Sequence, residues 1–295
     1  MSKNTNKIDG WLVIDKALNI GSTSVVSRLK HILKPAKIGH AGTLDPLATG
    51  VLPIALGNAT KLIPYVMDGT KIYDFQVTWG SETETDDAEG QVTSTSSSRP
   101  TEAEIRAILP SFIGVIEQVP PAYSALKVAG QRAYALARKG QEVQLSARAI
   151  KIEDLHLLRF NQDSADFRVV CGKGTYVRSL GRDIGRKLGC LGHITVLRRM
   201  ACGPFRIEDS VSIEQVESGC PVLPISSALK QMKTVDCTDT EQLRLQQGQR
   251  LRISDFSSRL SAVTKEEVVC LVYQGHPFGL GKIMNGALHP YRIFS

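Results

Sequence analysis

Three groups of side chains in this sequence stand where their type and spacing suit them to chemistry. Asp45 lies in Gly39-His40-Ala41-Gly42-Thr43-Leu44-Asp45-Pro46, a loop that can present a carboxylate close to a substrate backbone. Asp before Pro is also the ordinary pairing of a helix N-cap with its first residue, so the dipeptide alone leaves both readings open. Arg178, Arg182 and Arg186 recur every fourth residue and form one stripe on a helix. Such a stripe can hold phosphates, keep a neighbouring carboxylate ionised, or face solvent. Tyr73 falls on the apolar face of an alternating strand, where pattern alone favours core packing.

Rival constellations fail on spacing. Gly172-Lys173-Gly174-Thr175 looks like the tail of a P-loop but lacks the upstream glycine at the right distance. There is no HExxH, and His31, His40, His156, His193, His276 and His289 are scattered. The six cysteines lie 12 to 33 residues apart with no CxxC, which removes paired zinc ligands and makes disulfides a weak expectation. The acidic run Thr85-Asp86-Asp87-Ala88-Glu89 has no second oxygen-rich cluster to complete a divalent-metal site, so it reads as an acidic turn. No metal site is expected.

Regular elements must hold these groups in place. Trp11 to Ile14 reads as a strand, and Ser22 or Thr23 as the cap of a helix carrying Val25, Val26, Leu29, Ile32 and Leu33 up to Pro35. Residues 39 to 50 read as a loop with at most one helical turn after Asp45. The apolar run Val51 to Leu56 reads as a buried strand, with a short helix from Asn58 to Met67 behind it. Lys71 to Trp79 alternates as a strand, and Thr101 with Glu104 forms a capping box for a helix to Leu109. An Ala-rich helix is expected around Tyr134 to Arg138, a strand over Phe167 to Val170, and a helix over Tyr176 to Leu188. From about Leu243, short strands with turns at Gln247-Gly248, Gln274-Gly275 and Asn285-Gly286 suggest a small β-barrel.

The chain has 295 residues, 42% hydrophobic and 22% charged, which fits a large domain plus a small one and excludes disorder, collagen and coiled coil. No apolar run approaches the ~18 residues of a membrane span, and the polar start, Met1 to Lys7, does not read as a signal peptide. With unpaired cysteine spacing, the cytoplasm is the expected location. The net charge of +7 permits a polyanionic partner and is unevenly spread. Residues 82–89 hold five acids and no base, residues 122–160 are net +4, and residues 171–199 are net +6. The two basic segments are expected to supply phosphate contacts, unless they are solvated helix faces.

Fourteen consecutive residues, Gly39 to Leu52, resemble the signature of the TruB family of tRNA pseudouridine synthases. The likeness continues through Gly10-Trp11-Leu12, Lys71-Ile72-Tyr73, Thr85 to Gly90, Val119 to Ala125, Gly172 to Leu180 and Leu197-Arg198-Arg199. It covers about residues 10 to 205, with a looser fit to a PUA-like module beyond. The resemblance implies an α+β fold: a catalytic domain over 1–230 with a central mixed β-sheet and a T-arm-binding insertion at about 100–150. A small PUA-like β-barrel over 231–295 would complete it. It implies isomerisation of uridine 55 in the tRNA T-loop by base flipping, with no cofactor or metal, no obligate protein partner, and a monomeric state.

By that resemblance Asp45 is the catalytic aspartate. Tyr73 stacks on the target base and helps remove the C5 proton, and Arg178 pairs with the aspartate. Leu197 lines the base pocket, and His40 helps hold the T-loop with its uridine turned out. Gly42, Thr43, Tyr176 and Lys16 join the substrate-binding set. The chemistry is coherent: a nucleophile in a dry pocket needs a guanidinium to stay ionised, and a base inside a folded loop must be flipped at a cost of a few kcal/mol. Stacking on an aromatic ring returns roughly 1–3 kcal/mol. Attack at C6, attack at C1′ and proton removal at C2′ all stay open to the carboxylate. The family usually reads Asp-Lys-Pro where this chain has Asp15-Lys16-Ala17, a change that should loosen a turn. Two rivals remain on the residues: a non-catalytic tRNA-folding chaperone of the same fold, and a nucleobase hydrolase that uses Asp45.

Overall fold

The computed structural model describes residues 6–124, 126–128, 130–137, 140–141, 145–230, 232–256 and 267–294. The chain opens with strand β1 (Gly10–Lys16), helix α1 (Ser22–Leu33), β2 (Ile38–His40) and β3 (Ala48–Leu56). A 3-10 stretch at Gly57–Leu62, where a helix from Asn58 is expected, becomes α-helical only at α2 (Ile63–Asp68). Then follow β4 (Lys71–Trp79), β5 (Ser81–Thr83), β6 (Val92–Thr95), α3 (Glu102–Ile108) and β7 (Gly114–Gln118). The expected capping box forms at the start of α3: the Thr101 hydroxyl accepts from the Glu104 N–H, and the Glu104 carboxylate accepts from the Thr101 N–H. After β8 (Lys127–Val128), β9 (Gln131–Arg132) and α4 (Ala133–Ala137) come β10 (Arg148–Phe160), β11 (Ser164–Cys171) and α5 (Val177–Lys187). The expected end of the α4 helix at Arg138 lies outside the described residues. β12 (Gly192–Cys202), β13 (Phe205–Arg206) and α6 (Ile213–Glu217) complete this part.

These strands build a nine-stranded mixed sheet in the order β1-β3-β12-β4-β11-β10-β7, with β2 also on β3 and β13 also on β12. Every pairing is antiparallel except β3 with β12. The unbroken apolar runs of β1 and β3 have a simple cause: both faces are covered. Leu12, Ile14, Leu52 and Ile54 point into one core with Val25 and Leu29 of α1 and Leu180 and Ile184 of α5. Trp11, Val13, Val51 and Ala55 point into a second core with Leu62, Val66 and Phe205, where the Trp11 and Phe205 rings lie 5.1 Å apart.

The C-terminal segment holds β14 (Thr234–Asp236), α7 (Asp239–Gln246), β15 (Leu251–Arg252), β16 (Val268–Tyr273), β17 (His276–Met284) and β18 (Ala287–Ile293). The barrel expected here is, among the described residues, an open five-stranded sheet in the order β14-β16-β17-β18-β15. Gln274-Gly275 and Asn285-Gly286 both have two positive φ angles, the type I′ geometry that matches strand twist. Gln247-Gly248 instead ends α7, a helix unforeseen in the sequence reading. Cys270, Val272 and Leu280 of this sheet share the second core, so it sits directly on the back of β1 and β3. Among the described residues no helix is long and apolar enough to cross a membrane.

Candidate active site

Asp45 does not cap a helix. Pro46 and Leu47 form a single turn, closed by the Ala48 N–H on the Asp45 carbonyl at 3.1 Å, and β3 begins at once. Three side chains fix the loop from below. The Ser22 hydroxyl, expected as a helix cap, accepts from the Leu44 N–H and donates to the Leu44 carbonyl, both at 2.8 Å. The α1 N-cap position passes to Gly21, which makes no side-chain cap. Lys16 donates to the carbonyls of Ala17 (2.9 Å), Ile20 (2.7 Å) and Pro46 (3.3 Å). Arg199 donates from Nε to Val51 O (2.7 Å), from Nη2 to Gly42 O (2.9 Å) and from Nη1 to Thr43 O (3.4 Å).

Lys16 is therefore placed differently from the expectation that it binds substrate. It is fully buried, and its ammonium spends its three donors on carbonyls beneath the loop. Burial lowers its pKa from the usual lysine value, opposed by the nearby carboxylates of Asp45 and Glu89.

Above the loop, Arg178 reaches down from the first turn of α5. Its Nη2 lies 2.9 Å from Asp45 Oδ2 and its Nη1 lies 3.5 Å from Asp87 Oδ2. The same fork donates to Thr85 O at 2.9 Å and Tyr123 O at 3.0 Å. The guanidinium and Asp87 are buried, whereas the Asp45 side chain keeps 40% of its surface exposed. One carboxylate thus has a fixed positive partner behind it and open space in front. A guanidinium bound on several sides cannot swing away, so the ion pair is preorganised.

Tyr73 lies half-buried at the end of the β4 face that carries Phe75, Val77 and Trp79. It packs on the main core and lies directly opposite Arg199 in the β4–β12 register. Burial pushes the phenol up to about 12, against the lowering pull of Arg199. Leu197 is buried on β12, opposite Ala48 of β3 and Phe75 of β4. His40 ends β2; its pKa is lowered by burial and by Arg199, and its Nδ1 is buried with no hydrogen-bond partner among the described residues. Tyr176 precedes α5 and is pinned by Gln118, whose side chain accepts from the Tyr176 N–H (2.9 Å) and donates to its carbonyl (3.1 Å). Asp45 and Arg178 thus meet directly, Gly42, Thr43 and Tyr73 meet through Arg199, and Lys16 lies underneath.

The arginine stripe and the acidic turn prove to be two halves of one structure. Arg182 pairs with Asp86 at 2.8 Å, both buried, and Arg186 grips Glu82 with two bonds of 2.6 and 2.7 Å. Arg198 pairs with Asp15 and Lys173 with Asp68. Hence most of the net +6 of residues 171–199 is engaged by carboxylates of the same chain, with Arg178 and Arg182 buried and Lys173, Arg186 and Arg198 paired at the surface. Burial raises the Asp86 carboxyl even beside Arg182.

Ser22, Gln118, Asp87 and Arg199 were not singled out by sequence as parts of the site. Asp87 and Arg199 lay within motifs already noticed; Ser22 looked like a cap, and Gln118 carried no signal.

The profile of the TruB family pseudouridylate synthase N-terminal domain matches residues 30–177, and that of the tRNA pseudouridylate synthase B C-terminal domain matches residues 178–223. A Rhodospirillum rubrum protein named tRNA pseudouridine synthase B is 48% identical, over 97% of this chain and 96% of its own. Proteins of the same name from Paracoccus denitrificans and Brucella ovis are 47% and 44% identical, each over 99% of this chain and 98% of their own. Among solved structures, the chain resembles one in a Cbf5–Nop10–Gar1 complex with a TM-score of 0.77 at 24% identity, covering 97% of this chain and 85% of the other. Another, in an H/ACA RNP bound to a substrate RNA containing 2′-deoxyuridine, gives 0.75 at 23% identity, with the same two coverages. Those likenesses speak for the fold, and the near full-length sequence matches go further: this chain belongs to the TruB family of pseudouridylate synthases.

Proposed function

We propose that the chain converts uridine 55 of the tRNA T-loop to pseudouridine, with Asp45 as the catalytic carboxylate. The observation that carries this reading is the Asp45–Arg178 pair: a half-exposed carboxylate on a rigid loop, backed at 2.9 Å by a buried guanidinium. The names of the relatives, tRNA pseudouridine synthase B, support tRNA as the substrate. A chaperone of the same fold is not favoured, because folding RNA gives no use to an ion pair of this kind.

The reaction breaks the C1′–N1 bond, turns the uracil and joins C1′ to C5. The C5 proton leaves and N1 gains one, so the isomerisation balances without oxidant or reductant. On each route open to it the carboxylate acts as an anion, and the guanidinium at 2.9 Å holds it in place. In this reading the flipped uracil lies against Tyr73, with Leu197 as the apolar wall and His40, Gly42, Thr43 and Tyr176 around the entry. The buried Tyr73 acts as a neutral phenol that stacks and relays a proton. In this reading residues 122–148 clamp the T-arm, with the exposed Arg148 as one basic residue of that segment; residues 125, 129, 138–139 and 142–144 lie outside the described residues.

We assign the catalytic domain to 1–230 and a PUA-like RNA-binding module to 231–295. In this reading the chain acts as a monomer without an obligate protein partner. None of the six cysteines is in a disulfide, which suits the cytoplasm.

The test is an unmodified tRNA transcript tritiated at uracil C5, since forming pseudouridine must release that tritium. Asp45→Asn is expected to cut release by more than roughly 10³-fold while tRNA binding stays within a few-fold. Undiminished release would remove Asp45 from the chemistry, and an equal loss of binding would make it structural.

A further inference from the structure

We propose that Arg199 is a positioning residue: its side chain locks the Gly42–Thr43 arm of the Asp45 loop and packs the facing Tyr73 into one geometry, so that carboxylate and phenol meet the same uracil. The proposal rests on the assignment of the reaction to the Asp45 site.

Arg199 is only 1% exposed, yet among the described residues no carboxylate pairs with it. Removing a cation from water without a counter-ion is expensive, and an apolar side chain would fill a core position at less cost. Its donors go instead to three carbonyls, of Gly42, Thr43 and Val51, while Tyr73 lies directly opposite it on the neighbouring strand β4, where side chains of a register pair pack together. A planar fork presents its five N–H donors in fixed directions and can hold three separate carbonyls while its plane packs on a neighbour; an ammonium is a point donor with no plane. Thr43 lies two residues before Asp45, so the fork acts directly on the segment that aims the carboxylate.

The backbone is built to deliver this side chain. β12 pairs antiparallel with β4, but its register shifts between Ile194 and Val196, and burial passes from Ile194 to Leu197 and Arg199. That bulge changes which residues face inward, and without it Arg198 would occupy the inner face. On the other side, Arg199 lies in register with Gly50 of β3. Gly50 has φ +96, and a Cβ there would stand 2.2 Å from the Arg199 carbonyl. Both neighbouring strands thus admit Arg199 in this one place. Serving the loop and the tyrosine together, it ties two parts of the site that otherwise belong to different strands.

The test is single-turnover tritium release with enzyme in excess, reading the rate constant and the amplitude separately, alongside tRNA binding. An impaired fold lowers the amplitude, because fewer molecules react; a misaligned site lowers the rate constant. Arg199→Lys is expected to slow the rate constant roughly 10²-fold, the cost of about 1 Å of misplacement, with tRNA Kd within about threefold. For Arg199→Ala, added guanidinium should restore part of the rate constant, where potassium at the same ionic strength does not. If the alanine variant does not fold, the lysine variant decides alone. Either variant reacting at the wild-type rate constant with reduced amplitude would overturn the proposal, as would a lysine variant impaired in Kd alone. Wild-type protein that releases no tritium would sink the reading of the whole site, whereas active wild type with unaffected variants sinks only the role of Arg199.

Discussion

Asp45 gives one carboxylate oxygen to Arg178 and keeps an exposed face, while Tyr73 faces Arg199 across the β4–β12 pairing, and Arg199 in turn holds the Gly42–Thr43 arm of the loop. These two groups behave differently toward pH. Burial raises the Tyr73 phenol from 10.0 to about 12, so it stays neutral throughout the range in which RNA is handled. In unfolded chain the phenol ionises near its ordinary value. Stability supplied by burying the neutral form is therefore complete below pH 10 and is lost as pH rises toward 12. For activity, the single-turnover rate constant is expected to show no alkaline limb from Tyr73 below about pH 10. A limb near pH 9 that disappears in Tyr73→Phe would show that the working form is the phenolate. The contrast between Lys16 and Arg199 is instructive at this scale. Both are buried cations under the loop, but the ammonium holds carbonyls on the Pro46 side and the guanidinium holds those on the Gly42 side.

Helix α5 shows how an element can serve a site by its underside. Its stripe of arginines meets the acidic turn: Arg178 touches Asp87 and Asp45, Arg182 touches Asp86, and Arg186 touches Glu82. The helix comes close to β12 because Gly185 faces it; a Cβ there would lie 2.5 Å from the Gly192 nitrogen. Arg182→Met would strand the Asp86 carboxylate in the interior and is expected to cost about 3–5 kcal/mol of stability in urea unfolding. Adding Asp86→Asn, which tolerates the positive φ of 62 at that position, should recover at least half of that loss. A double variant as unstable as the single one would mean that the loss is one of packing and not of charge. Sequence patterns conveyed α1, β1, β3, β4, β11 and α5 well, because their apolar residues keep a single period. β10 and β12 were hidden, and both carry bulges: register shifts at Ile152/Asp154 and Ile194/Val196 move their buried residues from one parity to the other. An alternating template fails at such a point, and Arg199 sits just beyond one. Asp45 was legible through the fourteen-residue motif, whereas the partners of Asp86 and Glu82 could not be read from charge alone. A run of acids and a run of arginines some 96 residues apart looks like two surfaces until the fold brings them together.

For the molecule as a whole, the net charge of +7 hides an internal neutralisation. Five of the bases between 171 and 199 are paired with carboxylates and Arg199 is buried, which reduces the surplus that this segment offers to phosphate. By sequence the next source is the 122–148 segment. tRNA binding should weaken steeply with salt, and Arg186→Gln should leave the slope of log Kd against log salt unchanged. Replacing Arg132, Arg138 and Lys139 together with Gln should reduce that slope by about 2 to 3, one unit or slightly less per lost phosphate contact. A drop in slope for Arg186→Gln and none for the triple variant would reverse the assignment. The parallel pairing of β3 with β12 carries one more consequence, for the order of events in the cell. Thr49 and Leu197 meet across it although 148 residues separate them in the chain. At about 5–20 residues per second of synthesis, the Asp45 loop leaves the ribosome roughly 7–30 seconds before the strand that seats it. Until then β1 and β3 expose apolar faces to the medium, and the nascent chain holds a carboxylate with neither its arginines nor its pocket. The catalytic centre is thus among the last parts of this domain to form, and a chain cut short before β12 has no route to it.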